Sequence, residues 1–124
     1  MKQTLKIITL FFIFLTLFSC EKDDTENTLS DSYYVKYVIR GNGTYNYFNI
    51  FSVKTAQGNQ SFSGYQYHSW NQTYGPVERG FTASVSAQGN VTTEIYVSKN
   101  SEPFSLKASN SGSNSASASY TINF

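Results

Sequence analysis

Side chains that could carry out catalysis are few and lie far apart in this sequence. After residue 31 the chain has one histidine, His68, and three carboxylates, Glu78, Glu94 and Glu102. Acid–base catalysis by two carboxylates requires a pair in different environments, and the spacing gives no such pair. His68 has neither a second histidine nor a cysteine partner for a metal site, and no serine stands in a Gly-x-Ser-x-Gly turn. The sequence therefore predicts no catalytic residue, no metal site and no cofactor, and a protein that is not an enzyme.

Cys20 is the residue whose chemistry the sequence defines best. It follows Lys2, Lys6 and a twelve-residue apolar run over 7–18 that only two threonines interrupt. A helix needs about 20 apolar residues to cross a bilayer, so this short run behind a basic start is typical of a secretory signal peptide. Because Cys20 is the only cysteine, it has no partner for an internal disulfide.

The tetrapeptide Leu17-Phe18-Ser19-Cys20 resembles the lipobox of bacterial lipoproteins, in which a small residue precedes an invariant cysteine. By that resemblance the signal peptide covers 1–19 and is cleaved before Cys20. The thiol and the new amino group of Cys20 would then carry acyl chains. Since two or more acyl chains hold a protein stably in a membrane, the resemblance implies a membrane as partner, reached through a lipid anchor at Cys20.

Residues 20–31 are predicted to form an acidic, flexible tether that begins at the lipidated cysteine. Positions 21–31 hold five acids and one base without apolar periodicity, and such a segment buries too little apolar surface to offset its ordering entropy. Within it, Lys22-Asp23-Asp24 resembles the export signal of Bacteroidetes lipoproteins, an acidic cluster just past the lipidated cysteine. This resemblance implies an outer-membrane lipoprotein displayed at the cell surface.

The remaining residues, 32–124, show the two-residue periodicity of β-strands. Turn sequences rich in glycine and asparagine separate the strands, at 41–43, 57–59 and 89–90. Four stretches alternate most regularly, with these residues predicted to face the core: Val35, Tyr37 and Ile39; Phe81, Ala83, Val85 and Ala87; Val91, Thr93, Ile95 and Val97; Ala116, Ala118, Tyr120, Ile122 and Phe124. The pattern predicts an all-β domain, an antiparallel sandwich of seven to eight short strands.

Three segments of this domain resemble the immunoglobulin-like fold of MmpS-type membrane accessory lipoproteins. They are the opening strand 35–41, Trp70 ahead of Gly75-Pro76-Val77, and the strand 93–97. The resemblance implies an immunoglobulin-like β-sandwich over 32–124. The mycobacterial members assist large transporters and often have a transmembrane anchor, whereas this chain has a predicted lipid anchor, so the transport role is not carried over.

One cluster of aromatic residues suggests recognition: Tyr65, Tyr67, Trp70 and Tyr74, around His68. In an irregular segment, such rings could form a platform for a sugar ring or for the apolar patch of a partner protein. Alternatively, Trp70 fills the core of the sandwich and the tyrosines cover its edge. The sequence leaves both interpretations open.

The charge balance excludes one class of partner. Nine basic residues against eight acidic ones give a net charge of +1, whereas a nucleic-acid-binding domain normally has a clear basic excess. The sequence therefore predicts a lipid-anchored, non-catalytic binding or accessory module whose ligand is a glycan or an envelope protein. The alternative is a structural envelope component that pairs with a partner protein through exposed strand edges.

Overall fold

The computed structural model describes residues 30–124, in which eight antiparallel strands form two four-stranded sheets. The strands are β1 Tyr33–Gly41, β2 Tyr47–Thr55, β3 Gly58–Tyr67, β4 Ser69–Val77, β5 Thr82–Gln88, β6 Val91–Lys99, β7 Ser105–Gly112 and β8 Ser115–Thr121. The predicted all-β sandwich of seven to eight strands is confirmed. The signal peptide, Cys20 and the 22–24 cluster lie outside the described residues. Within 30–124, no helix is long and apolar enough to cross a membrane.

The strand order shows how the chain builds the two layers. The first sheet has the order β4-β1-β6-β7 and the second has the order β3-β2-β5-β8. In each half of the domain, an inner hairpin lies in one sheet while the two flanking strands pair in the other. The connectivity thus differs from the immunoglobulin order, in which the first two strands pair in one sheet. Alternation and turns predict how many strands form, but they do not determine which sheet each strand joins.

The core lies between the two sheets and contains the side chains that alternation assigned to it on β1, β5 and β6. The largest fully buried side chains include Tyr33, Tyr37, Ile39, Phe48 and Ile95. Alanines at 83, 87 and 116 on the second sheet are also buried, and their small side chains leave room between the layers for these large groups. Asp31–Phe124 form a compact unit that contains this core.

Tyr37 also joins the two sheets through its hydroxyl. The β2–β5 ladder ends at the Val53–Val85 pair, and the next position on each strand is Lys54 and Ser84. There the Tyr37 hydroxyl donates to the Lys54 carbonyl at 2.6 Å and accepts from the Ser84 amide at 3.2 Å. A side chain from the opposite sheet thus takes the place of the next backbone hydrogen bond.

The segment after His68 is more regular than the sequence predicted. Residues 68–75 were expected to be irregular, but Ser69–Val77 form edge strand β4, paired with β1. Its polar residues at 71–73 are exposed, including Gln72 on the inward face, because the opposite sheet covers an edge strand only in part. Pro76 is tolerated for the same reason, since the outer edge of this strand has no ladder to interrupt.

The sandwich has two distinct ends. At the basal end the chain enters β1, where Lys99 and Asp31 are 3.4 Å apart and the Asn100 amide donates to the Ser32 carbonyl at 2.8 Å. At the distal end the loops following β1, β3, β5 and β7 meet. A nine-residue strand spans about 30 Å at ~3.3 Å per residue, so the distal loops lie far from the point of chain entry.

Candidate binding surface

Four tyrosines at the distal end form an exposed cluster, which we call the tyrosine patch. Tyr45, Tyr47, Tyr65 and Tyr67 are 78%, 46%, 63% and 67% exposed. The ring centroids of Tyr45 and Tyr47 are 6.3 Å apart, those of Tyr47 and Tyr65 are 5.5 Å apart, and Tyr67 lies directly opposite Tyr47 in the β2–β3 ladder. Large apolar rings are normally covered, so four neighbouring exposed rings make the tyrosine patch the candidate interaction surface of the domain.

The position of the patch follows from a change of face within β2. The register with β3 shifts between Phe48 and Ile50, and strand irregularities of this kind re-aim side chains. Phe48 and Phe51 are buried, whereas Tyr47 and Ile50 are about half exposed. The aromatic residues of β2 are thereby divided between the core and the outer face of the second sheet.

The loop between β1 and β2 holds Tyr45 in its place within the tyrosine patch. It folds back so tightly that a Cβ on Gly41 would lie 2.6 Å from the backbone carbon and oxygen of the Asn46 carbonyl. Asn46 and His68 both adopt positive φ angles, and the His68 amide donates to the Asn46 carbonyl at 2.7 Å. These backbone contacts fix the loop without using the tyrosine side chains.

A cleft of about 300 Å³, which we call the amide cleft, opens beside the patch. Its lining consists of Asn42, Gly43, Thr44, Tyr45, Asn46, Tyr47, Gly89 and Asn90. Tyr45 and Tyr47 belong to both the tyrosine patch and the amide cleft, so the two surfaces are continuous. The lining has no acidic or basic side chain; it offers amide and hydroxyl groups that can both donate and accept hydrogen bonds.

The structure divides the four aromatic residues that the sequence grouped together. Tyr65 and Tyr67 lie in the tyrosine patch, whereas Trp70 and Tyr74 turn inward and pack against the core. The Trp70 ring lies 4.7 Å from Phe51 and 5.2 Å from Phe62, and the Tyr74 ring lies 6.0 Å from Tyr37. The sequence analysis did not include Tyr45 and Tyr47 in the cluster, because they lie about 20 residues away in the chain and only the pairing of β2 with β3 brings them to Tyr65 and Tyr67.

Because Trp70 packs against the core, the Trp70→Ala variant should be destabilised rather than merely unable to bind. We expect the free energy of unfolding to fall by about 2–4 kcal/mol, since removing a large aromatic side chain leaves a cavity. Urea unfolding followed by circular dichroism measures this loss. The matched control is Tyr67→Ala, for which an exposed site predicts a change within about 0.5 kcal/mol. Equal stability of the two variants would contradict the packing role of Trp70.

The carboxylates of the domain do not form a catalytic pair. Glu94, predicted to face solvent, lies on the outer face of β6 but is covered: Arg40 Nε is 2.6 Å from its Oε1, and the Tyr96 hydroxyl donates to its Oε2. Burial alone would raise the pKa of this carboxyl, but the Tyr96 hydroxyl and the Arg40 guanidinium hold the pKa below its ordinary value. Glu94 therefore stays ionised and is used in a structural ion pair, and the other two glutamates, Glu78 and Glu102, are exposed.

The described residues offer no group of side chains for a metal ion, and comparison with known proteins identifies no relative. Within residues 30–124, no three histidine, cysteine, aspartate or glutamate side chains are grouped so that they could hold a metal ion. No protein-family model, curated protein or solved structure matches the chain. The function must therefore be inferred from the chemistry of the tyrosine patch and the amide cleft.

Proposed function

We propose that this protein is a lipid-anchored, non-catalytic binding module of the outer membrane, displayed at the cell surface, that binds an uncharged carbohydrate. The single observation that carries the proposal is the tyrosine patch, four exposed rings continuous with a cleft of amide and hydroxyl groups. The lipid anchor at Cys20 and the export signal at Lys22, Asp23 and Asp24 complete the proposal from the sequence.

The chemistry of the surface favours a sugar over other ligands. A sugar ring presents apolar C–H faces, which suit aromatic rings, and hydroxyl groups, which both donate and accept hydrogen bonds. The patch supplies the rings and the cleft supplies Asn42, Asn46 and Asn90. Without an acidic or basic side chain in the cleft lining, a charged ligand would lose hydration and gain no opposite charge.

The position of the patch suits a protein held at a membrane. The chain enters the domain at the basal end, and the patch lies at the opposite end. An anchor at Cys20 would therefore leave the patch on the side of the domain remote from the attachment point. A ligand in the surrounding medium could then reach it without competing with the membrane.

Removing rings from the tyrosine patch should weaken binding without unfolding the domain. We expect Tyr47→Ala and Tyr65→Ala each to weaken the binding of a sugar identified on a glycan array by about tenfold, equivalent to ~1.4 kcal/mol. Calorimetric titration of residues 31–124 measures the affinity. The matched control, Leu106→Ala, removes an exposed apolar side chain from β7 and should bind normally. If no uncharged glycan binds, or if the tyrosine variants bind as well as the unmodified domain, the proposal fails.

A further inference from the structure

The basic residues of the domain gather at its basal end. Five of the six within 32–124 lie in the half of the sandwich where the chain enters: Lys36, Lys54, Arg79, Lys99 and Lys107. The sixth, Arg40, lies near the distal end and is paired with Glu94. Among the described residues the basal end has three acids, Asp31, Glu78 and Glu102, and a single ion pair, between Lys99 and Asp31. The basal end therefore has a net positive charge, while the distal end has none.

Exposed apolar side chains stand beside these cations. Phe104, Leu106 and Phe124 are 37%, 51% and 38% exposed. The Lys36 ammonium lies 5.0 Å from the centre of the Phe104 ring, and the Lys107 ammonium lies 4.2 Å from that of Phe124. Lysines over exposed aromatic rings combine charge with an apolar surface, the composition of protein surfaces that lie in a membrane interface.

A cleft of about 530 Å³ opens at the same end. It is lined by the end of β2, the start of β3, the end of β4 and the loop before β5, and its charged side chains are Lys54, Arg79 and one acid, Glu78. The Lys54 ammonium lies 5.9 Å from the centre of the Phe81 ring, and Arg79 Nη2 donates to the Asn123 carbonyl at 3.1 Å. The two cations outnumber the single acid in this lining and stand beside apolar side chains, an arrangement that suits a phosphate group joined to an apolar chain.

We propose that the basal end of the domain docks on an anionic phospholipid surface, with Lys54, Arg79 and Lys107 contacting lipid phosphates. The proposed anchor at Cys20 places this end within reach, since the thirteen residue steps from Cys20 to Tyr33 extend at most about 45 Å at ~3.3–3.6 Å per residue. From the proposed function the inference takes only this short tether. A soluble acidic protein is the weaker fit, because it would leave the exposed phenylalanines and Leu106 uncovered.

Vesicle flotation of residues 20–124 bearing Cys20→Ala tests the docking without a lipid anchor. We expect binding to phosphatidylcholine vesicles containing about 30 mol % phosphatidylglycerol and little binding to phosphatidylcholine alone. Raising the salt from about 50 to about 300 mM shortens the Debye length more than twofold, and it should release the bound protein. The triple variant Lys54→Gln, Arg79→Gln, Lys107→Gln should partition about a hundredfold more weakly, at about fivefold per cation.

The charge-conserving variant Lys54→Arg, Lys107→Arg is the matched control and should bind like the unmodified chain. Circular dichroism confirms that each variant is folded. Equal binding to neutral and anionic vesicles, or equal binding by the glutamine and arginine variants, would overturn the proposal. Binding that appears only after residues 20–30 are removed would also overturn the proposal, because it would show that the acidic tether occupies the basal end in the complete chain. Since the assay uses no acyl chain and no sugar, its failure would leave the proposed anchor and the tyrosine patch untouched.

Discussion

The Tyr37→Ala variant should lose about 4 kcal/mol in free energy of unfolding, a large fraction of the stability of a domain of this size. The side chain is fully buried between the sheets, so its removal leaves a cavity that costs about 3–5 kcal/mol for an aromatic residue. The variant also loses the hydroxyl that joins the Lys54 carbonyl to the Ser84 amide. Urea unfolding followed by circular dichroism measures the change.

The Tyr37→Phe variant distinguishes the contribution of the hydroxyl to stability from that of the ring. It keeps the packing but leaves the Ser84 amide without its partner, and an unsatisfied buried group costs about 1–3 kcal/mol. Burial raises the pKa of the Tyr37 hydroxyl, so the native state favours the protonated phenol. The stability that the native state gains from the protonated phenol is complete below about pH 10, the pKa of an unfolded tyrosine. It decreases as the pH rises further. The phenylalanine variant should therefore lose less stability in alkali, and an unchanged alkaline slope would contradict the bridging role.

Tyr37 also illustrates how much of the fold the sequence could predict. Its inward orientation follows from alternation along β1, as it does for Val85 on β5 and Ile95 on β6, because a half-buried strand exposes every second residue. The bridge to Lys54 and Ser84 could not be predicted, since it depends on which strands face each other across the core. Topology brings together residues 47 positions apart in the chain, and no local pattern contains that information.

The same limit applies to the candidate site. Tyr65 and Tyr67 could be selected because they alternate on one strand, but Trp70 and Tyr74 lie in the next strand, in the other sheet. A turn at His68 therefore separates rings that are neighbours in the sequence. The register shift in β2 lies next to Tyr47, and its signal in the sequence is the odd, three-residue spacing of Phe48 and Phe51, which are both buried. No local pattern in the sequence indicates the cluster of basal cations, because its members are spread singly along the strands and loops.

The second large effect is expected at Cys20, where the Cys20→Ala variant should lose its acyl label and its partitioning into the detergent phase. Cys20 carries the only thiol in the chain, so no other residue can accept a thioether-linked lipid. Each buried methylene of an acyl chain contributes about 0.8 kcal/mol to membrane binding. The measurements are labelling with a fatty acid, phase partitioning in detergent, and intact mass of the mature protein. A variant that keeps the label and the detergent partitioning would disprove the lipid anchor.

Replacing Lys22, Asp23 and Asp24 by alanine gives the control that separates anchoring from display. This variant keeps Cys20, so it should keep its acyl label and its membrane association, yet it should become resistant to protease added to intact cells. Loss of the label would mean that the three residues act in lipidation rather than in export. If surface accessibility persists, display does not depend on this acidic cluster. Because basal docking requires an anionic phospholipid surface and no acyl chain, it should be observed at either face of the membrane that presents such lipids to the domain.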